Sequence, residues 1–296
     1  RSMGELPEHA PENQGYDYAY YGLFNGAPDA WPTASDFYKN NMPQSTKPAF
    51  YDYPGNEAYK DVTGIDLSIA GYVGEKGKGR KPIEGVAGIL GDKRQEAFEN
   101  ESINQIVDYI EDKAKDDKPF FIYWASFAQQ IKGSEEYKDA PFVDRANAQS
   151  SFMAMHNAHV AHLLDTLRKQ GIAENTLVVW WSDNGPMYAF YPNSGYSWLR
   201  GGKGDVLEGG VRVPAMAWWP GTIAPDQDPA EIIHLTDLFT TAAHVAGAMD
   251  NIRTDRVTDG IDQTALFLFG VVLCVCIYLY SDCSVVFGLQ GEVCIF

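Results

Sequence analysis

An α/β fold, with a mainly parallel central sheet flanked by helices, is predicted by three stretches of the sequence. Residues 176–181 (T-L-V-V-W-W) form a β-branched and aromatic run bounded by polar residues, and 119–125 (P-F-F-I-Y-W-A) form a second short apolar run. Both read as buried strands. Between them, over 149–170, Phe152, Met155, Val160, Leu163, Leu164 and Leu167 recur at helical spacing, and Gly171 supplies a stop. Strand, helix and strand in that order imply a right-handed crossover and strands that run the same way. A chain of 296 residues with 17 Tyr, 15 Phe and 7 Trp is long and aromatic enough to bury one large core or two domains.

Taken in order, residues 1–32 mix Gly, Pro and Tyr without periodicity and read as a loop-rich wall. Residues 33–92 give weak signals. The basic, glycine-rich Gly77-Lys78-Gly79-Arg80-Lys81 is read as a solvated flexible loop in preference to a substrate-facing anion patch. A helix is expected where Ile103, Ile106, Val107, Ile110 and Ala114 recur, opened by a capping box of Ser102 and Gln105. The sequon Asn100-Glu101-Ser102 is accordingly read as a helix start rather than a glycan acceptor. In the next helix His156, His159 and His162 recur every third residue, a spacing compatible with a metal. No cysteine and no clear carboxylate accompanies them, so packing is preferred, with His159 half-buried and the other two on the flanks. Residues 211–219 read as another strand closed by Pro220-Gly221, and 232–248 as a helix in which His234 and His244 pack.

Residues 265–280 carry no charge over sixteen positions. That is short for a membrane span, which wants about 20 apolar residues. The run is either a C-terminal anchor or translated out-of-frame sequence. The second is preferred because cysteine usage and polarity change abruptly and no basic cluster follows. Exposed, such a tail is an aggregation hazard. A formal charge of −17 argues against nucleic acid or an anionic membrane as the main partner, so the attraction of any anionic ligand must be local. All four cysteines lie at or beyond Cys274 and say nothing of compartment. The first residues, Arg1-Ser2-Met3-Gly4-Glu5, have no apolar stretch and are not read as a signal peptide.

The first strand named above stops at Ser182-Asp183-Asn184-Gly185. Two oxygen-bearing side chains then stand at the carboxyl end of a strand, where open α/β sheets bind ligands, and hard cations such as Ca²⁺ take such oxygens. Further on, Gly201, Gly202, Gly204, Gly209 and Gly210 surround a single Lys203, a pattern read as an anion site in which the backbone approaches the ligand. It is not a phosphate loop, because Ser197 replaces the first Gly of that motif and Gly204 replaces its Ser or Thr.

S-D-N-G-P followed by L-R-G-G-K-G-x-x-x-E-G-G-V-R-x-P-x-x-x-W-P-G closely resembles the sulfatase family of the alkaline-phosphatase-like superfamily. The resemblance implies that Asp183 and Asn184 are calcium ligands and that Lys203 binds and polarises a sulfate ester. Met3-Gly4-Glu5 with Gln14-Gly15-Tyr16-Asp17 looks like the remainder of another family motif, and Asp259-Gly260-Ile261-Asp262 is similar to a later one. On this alignment two family histidines fall on Ser2 and Gln130; Gln can donate a hydrogen bond but cannot shuttle a proton near neutral pH. Sulfatases attack sulfur with a formylglycine made within a C-x-P-x-R type motif, which none of the four cysteines here satisfies. The resemblance places that segment upstream of Arg1.

The expectation is therefore a partial alkaline-phosphatase-like domain over 1–264 lacking its nucleophile segment, a hydrophobic tail outside the family over 265–296, and no turnover by this chain alone. The substrate class expected is a small-molecule or glycan sulfate ester, with specificity in the aromatic loops 16–24 and 188–198. Membrane contact is expected only if 265–280 is a real anchor, and the resemblance favours an extracytoplasmic site. Two alternatives stand beside this reading: a non-catalytic sulfatase-like protein that binds sulfated glycans, and a phosphoesterase of the same superfamily, which would use zinc pairs held by several His and Asp.

Overall fold

The structure is a computed structural model that describes residues 7–21, 71–83, 92–126, 134–141, 143–144, 148–186, 197–229, 231–269 and 291–295. Its contacts divide into two compact units, residues 1–105 with 132–135, and residues 106–131 with 136–296.

In the first unit a three-stranded antiparallel sheet is built from β1 (Tyr18–Tyr21), β2 (Tyr72–Glu75) and β3 (Gly79–Pro82), in that order. Two sequence expectations are corrected by it. The tyrosine-rich stretch after Gly15 is a strand, and the basic tract at 77–81 belongs to a β-hairpin that turns over Lys76–Lys78, with Lys78 N–H bonding Glu75 O at 3.0 Å. β1 finds its partner β2 far along the chain, and the local pairing of β2 with β3 is hidden because Gly79–Pro82 shows no apolar alternation. The basic tract is solvated as expected, since β3 is mostly exposed and Lys78 pairs with Glu75.

Helix α1 spans Asp92–Lys113 and also differs from expectation. Ser102 sits in its middle, with its hydroxyl bonded back to Phe98 O at 2.8 Å, so it caps nothing. Asn100 of the sequon is likewise inside the helix rather than at its start. The early turns are rich in Glu, Gln and Lys, which favour helix without showing an apolar stripe. Within the first unit Phe98 meets Tyr20 at 4.9 Å between ring centroids, and Tyr18 donates to Gln105.

The second unit holds a four-stranded sheet in the order β4 (Ile122–Ala125), β7 (Gly291–Ile295), β5 (Val178–Ser182), β6 (Ala215–Trp218). Helix α2 (Ala148–Lys169) connects β4 to β5, as the sequence predicts. The expected parallel relation takes an indirect form. β4 and β5 run the same way, but each is hydrogen-bonded to β7, which runs against both, and every described ladder is antiparallel. β7 comes from the tail set apart in the sequence; apart from α5 (Thr264–Phe269) and β7, the tail lies outside the described residues. Among the described residues no helix is long and apolar enough to cross a membrane.

The alternation of β5 sends its residues to two different helix layers. Leu177, Val179 and Trp181 pack with Leu238 and Val245 of α4 (Asp237–Val245) and Phe267 of α5. On the opposite face Trp180 meets α2 through His156. Helix α4 is shorter than expected: residues 232–236 precede it as an exposed segment. Its buried first residue, Asp237, accepts hydrogen bonds from His234 N, Ile261 N and Gln263 Nε2 at 2.9, 3.0 and 3.1 Å. One carboxylate thus ties the helix start to the Asp259–Asp262 stretch. His244 pairs with Asp262, and His234 bonds Thr236; neither is a buried packing residue. Residues 211–219 also divide, because Glu208–Val211 is one turn of helix, α3, before β6 begins at Ala215.

Candidate functional site

The end of β5 and the glycine-rich loop meet at the same edge of the sheet. Ser182 N–H bonds Pro214 O at 3.3 Å, Gly185 N–H bonds Gly210 O at 3.0 Å, and Lys203 N–H bonds Pro186 O at 2.9 Å. Three main-chain bonds therefore fix the S-D-N-G-P turn against the loop that carries Lys203. The packing leaves no room for a side chain at the crossing, because a Cβ built on Gly185 would collide with the carbonyl of Gly209. Gly201 takes φ +94°, a left-handed conformation, so that its loop can fold back over Asp205. The glycines around Lys203, Gly209 among them, were expected to open the backbone to a ligand. The structure shows Gly185 packed on the Gly209 carbonyl and Gly209 packed on the carbonyls of Gly201 and Arg200, so both serve backbone-on-backbone packing.

Asp183, Asn184 and Lys203 are all half-buried. The Asn184 amide nitrogen donates to Gly185 O at 2.9 Å, and Ser182 Oγ donates to Asn184 O at 3.1 Å. With its nitrogen spent on the chain, Asn184 keeps its side-chain oxygen for another partner. Burial lowers the Lys203 ammonium below its ordinary range, while the Asp183 carboxylate works against that shift. The two side chains are close enough to feel each other's charge although the sequence separates them by a loop. Asp183 and Asn184 form an oxygen-only pair, which is what a hard cation requires. Two such side chains fit part of a calcium shell of six to eight oxygens, and no group of three or more His, Cys, Asp or Glu that could hold a metal occurs among the described residues.

The other predicted positions divide. Ser2, Gln130 and residues 188–196 lie outside the described residues; Trp198 is exposed, and Tyr18–Tyr21 are β1 of the first unit. Of the three histidines on α2, His156 and His159 are both buried and His162 is exposed, so the buried side lies one position from where it was expected. His156 bonds Ser126 Oγ through Nδ1 at 3.1 Å and accepts from Trp180 Nε1 at 2.9 Å. Burial pushes both His156 and His159 down to about 4. A signal for His156 was present in the sequence, since it lies on the stripe Phe152, Met155, His159, Leu163 and Leu167, all buried.

A family model described as Sulfatase matches residues 8–248. The chain is 34% identical to mouse N-acetylgalactosamine-6-sulfatase over 64% of its own length and 36% of that protein. It is 37% identical to human arylsulfatase A over 54% of its own length and 31% of that protein. Among solved structures, the PsFucS1 sulfatase from Pseudoalteromonas sp. superposes with a TM-score of 0.66 at 26% identity, covering 88% of this chain and 49% of that one. The chain thus spans about a third of the curated relatives it matches and about half of that solved chain. With the family model covering most of the sequence and the two motifs joined at one strand end, the chain belongs to the sulfatase family.

Proposed function

We propose that this chain carries the ester-binding half of a sulfatase site, acting on a sulfate ester of a sugar or aryl group. The observation that supports it is the meeting of Asp183, Asn184 and Lys203 at the end of β5 through main-chain bonds from Lys203 to Pro186 and from Gly185 to Gly210. In this reading Asp183 and Asn184 hold a Ca²⁺ in part, and the cation, when bound, supplies charge stabilisation at the ester oxygens. The Lys203 ammonium donates to a sulfate oxygen. Its half-buried position makes that hydrogen bond stronger than it would be in water. The backbone contacts keep the ammonium and the two oxygens from drifting apart, so the arrangement is set before the ester arrives. No residue of the chain meets the C-x-P-x-R pattern that gives sulfatases their formylglycine, so no nucleophilic step is assigned to it. A sugar substrate is supported by the relative named as an N-acetylgalactosamine-6-sulfatase. Family membership supports an extracytoplasmic location.

The test is hydrolysis of a chromogenic aryl sulfate, and of a 6-sulfated N-acetylgalactosamine, by the longest protein the transcript encodes, with calcium and with a chelator. Calcium-dependent release of sulfate that Lys203→Ala abolishes is expected. If that protein binds a sulfated glycan and cleaves nothing, the non-catalytic reading replaces this one; if it cleaves phosphate esters with zinc, the phosphoesterase reading does.

A further inference from the structure

β4 and β5 end at the same edge of the sheet, yet they share no ladder with each other, because both pair with β7. Among the described residues, the side chain of His156 touches both strands on the α2 face. His156 is 3% exposed and lies between Trp124 of β4, at 5.2 Å between ring centroids, and Trp180 of β5. Its Nδ1 meets Ser126 Oγ, one residue past the end of β4, and its Nε2 meets Trp180 Nε1, two residues before the last residue of β5.

The chemistry of the partners fixes the proton. An indole N–H only donates, so Nε2 must be the bare nitrogen and accept. The single proton of the neutral ring then sits on Nδ1 and is donated to Ser126 Oγ. A buried serine beside a histidine resembles a nucleophile and its base, but a base must present a bare nitrogen to the hydroxyl. Here that nitrogen is taken by Trp180. The arrangement is a brace, with Ser126 held as an acceptor.

We propose that His156 is a positioning residue: as a neutral ring protonated on Nδ1 it ties the carboxyl ends of β4 and β5 to α2, and through β5 it holds the turn that presents Asp183 and Asn184. The purpose assigned to that turn rests on the cation reading above; the positioning itself does not. Burial, which holds the ring's protonation far below its ordinary range, keeps the brace neutral at physiological pH.

The test compares His156→Phe with His156→Gln, which retains one donor and one acceptor, in the full chain. Amide hydrogen exchange is read over 182–186 and, as an internal control, over 237–245 on the opposite face of the sheet. His156→Phe should accelerate exchange at 182–186 on the order of tenfold and weaken binding of Ca²⁺ alone, by calorimetry, by a similar factor, with His156→Gln within about threefold of wild type in both. The control helix should not change. Wild-type exchange at 182–186 in His156→Phe, equal loosening of both segments, or a Gln variant no better than Phe overturns the proposal. Should the wild type bind no Ca²⁺, the cation reading falls and the exchange measurement decides the positioning by itself. Should His156→Phe fail to fold, Trp180→Phe, which deletes only the indole donor, is measured in the same way, and unchanged exchange at 182–186 then overturns it.

Discussion

The two strand ends at this site are held by opposite means. After β5, the turn Asp183–Gly185 is tied to residues 200–214 by main-chain hydrogen bonds and by backbone packed on backbone at Gly185 and Gly209. After β4, Ser126 is held by a side chain reaching in from α2. The first kind of support is indifferent to which side chains decorate the turn, provided glycine stays where it is. The second depends on one ring, its tautomer and its charge. A family scaffold can therefore change ligands on the β5 turn without losing it, whereas protonation or replacement of the His156 ring is felt at Ser126 directly and at the β5 turn through Trp180.

The largest effect should come from breaking the backbone contact. Gly185→Ala places a methyl on the Gly209 carbonyl and should cost roughly 4 kcal/mol or yield no soluble protein, as read by urea denaturation. Next is the pH dependence of the side-chain brace. His156 titrates near 6.5 when unfolded and about 4 in the fold, so between those values the unfolded chain binds more protons. The stability contributed by the neutral ring is complete above pH 6.5 and falls by about 3 kcal/mol as pH drops toward 4. Melting temperatures across that range should fall with acid, and His156→Gln should flatten the slope. Trp180→Phe leaves Nε2 of His156 buried without its donor and should cost about 1–2 kcal/mol at pH 7 by the same denaturation assay. The smallest effect is expected at Lys203→Met. The half-buried ammonium has no ladder or core to support, so stability should move by less than about 0.5 kcal/mol while binding of a sulfate ester is lost.

The parts legible in the sequence were those whose cause is local. β4, α2 and β5 announce themselves by apolar runs and periodicity, and the Asp183-Asn184 turn follows from where β5 must stop. The hairpin of β2 and β3 was not legible although its pairing is local, because β3, Gly-Arg-Lys-Pro, is mostly exposed and shows no apolar alternation, while β1 finds its partner β2 far along the chain. The start of α1 was missed for a different reason: its early turns are held by residues with high helix propensity and no apolar stripe, which drew attention to Ser102 instead. His156 was visible on the buried stripe of α2, but its partners Ser126 and Trp180 belong to two strands that only the folded sheet brings within reach of one ring. The meeting of Lys203 with Asp183 came from family pattern, and only the fold supplies its physical basis in the Lys203–Pro186 bond.

The place of β7 between β4 and β5 has a consequence for the order of folding. Ile295 pairs with both Ile122 and Val178, so closing this sheet means closing loops of more than a hundred residues. Contacts of such long range form late, because the entropy of loop closure is spent before they return anything. During synthesis β4 and β5 emerge well before the strand that joins them, and until it arrives each has a main-chain edge open to the nearest extended chain. A chaperone that shields these edges during translation should therefore raise the yield of folded protein more than any stabilising change around Asp183 and Lys203.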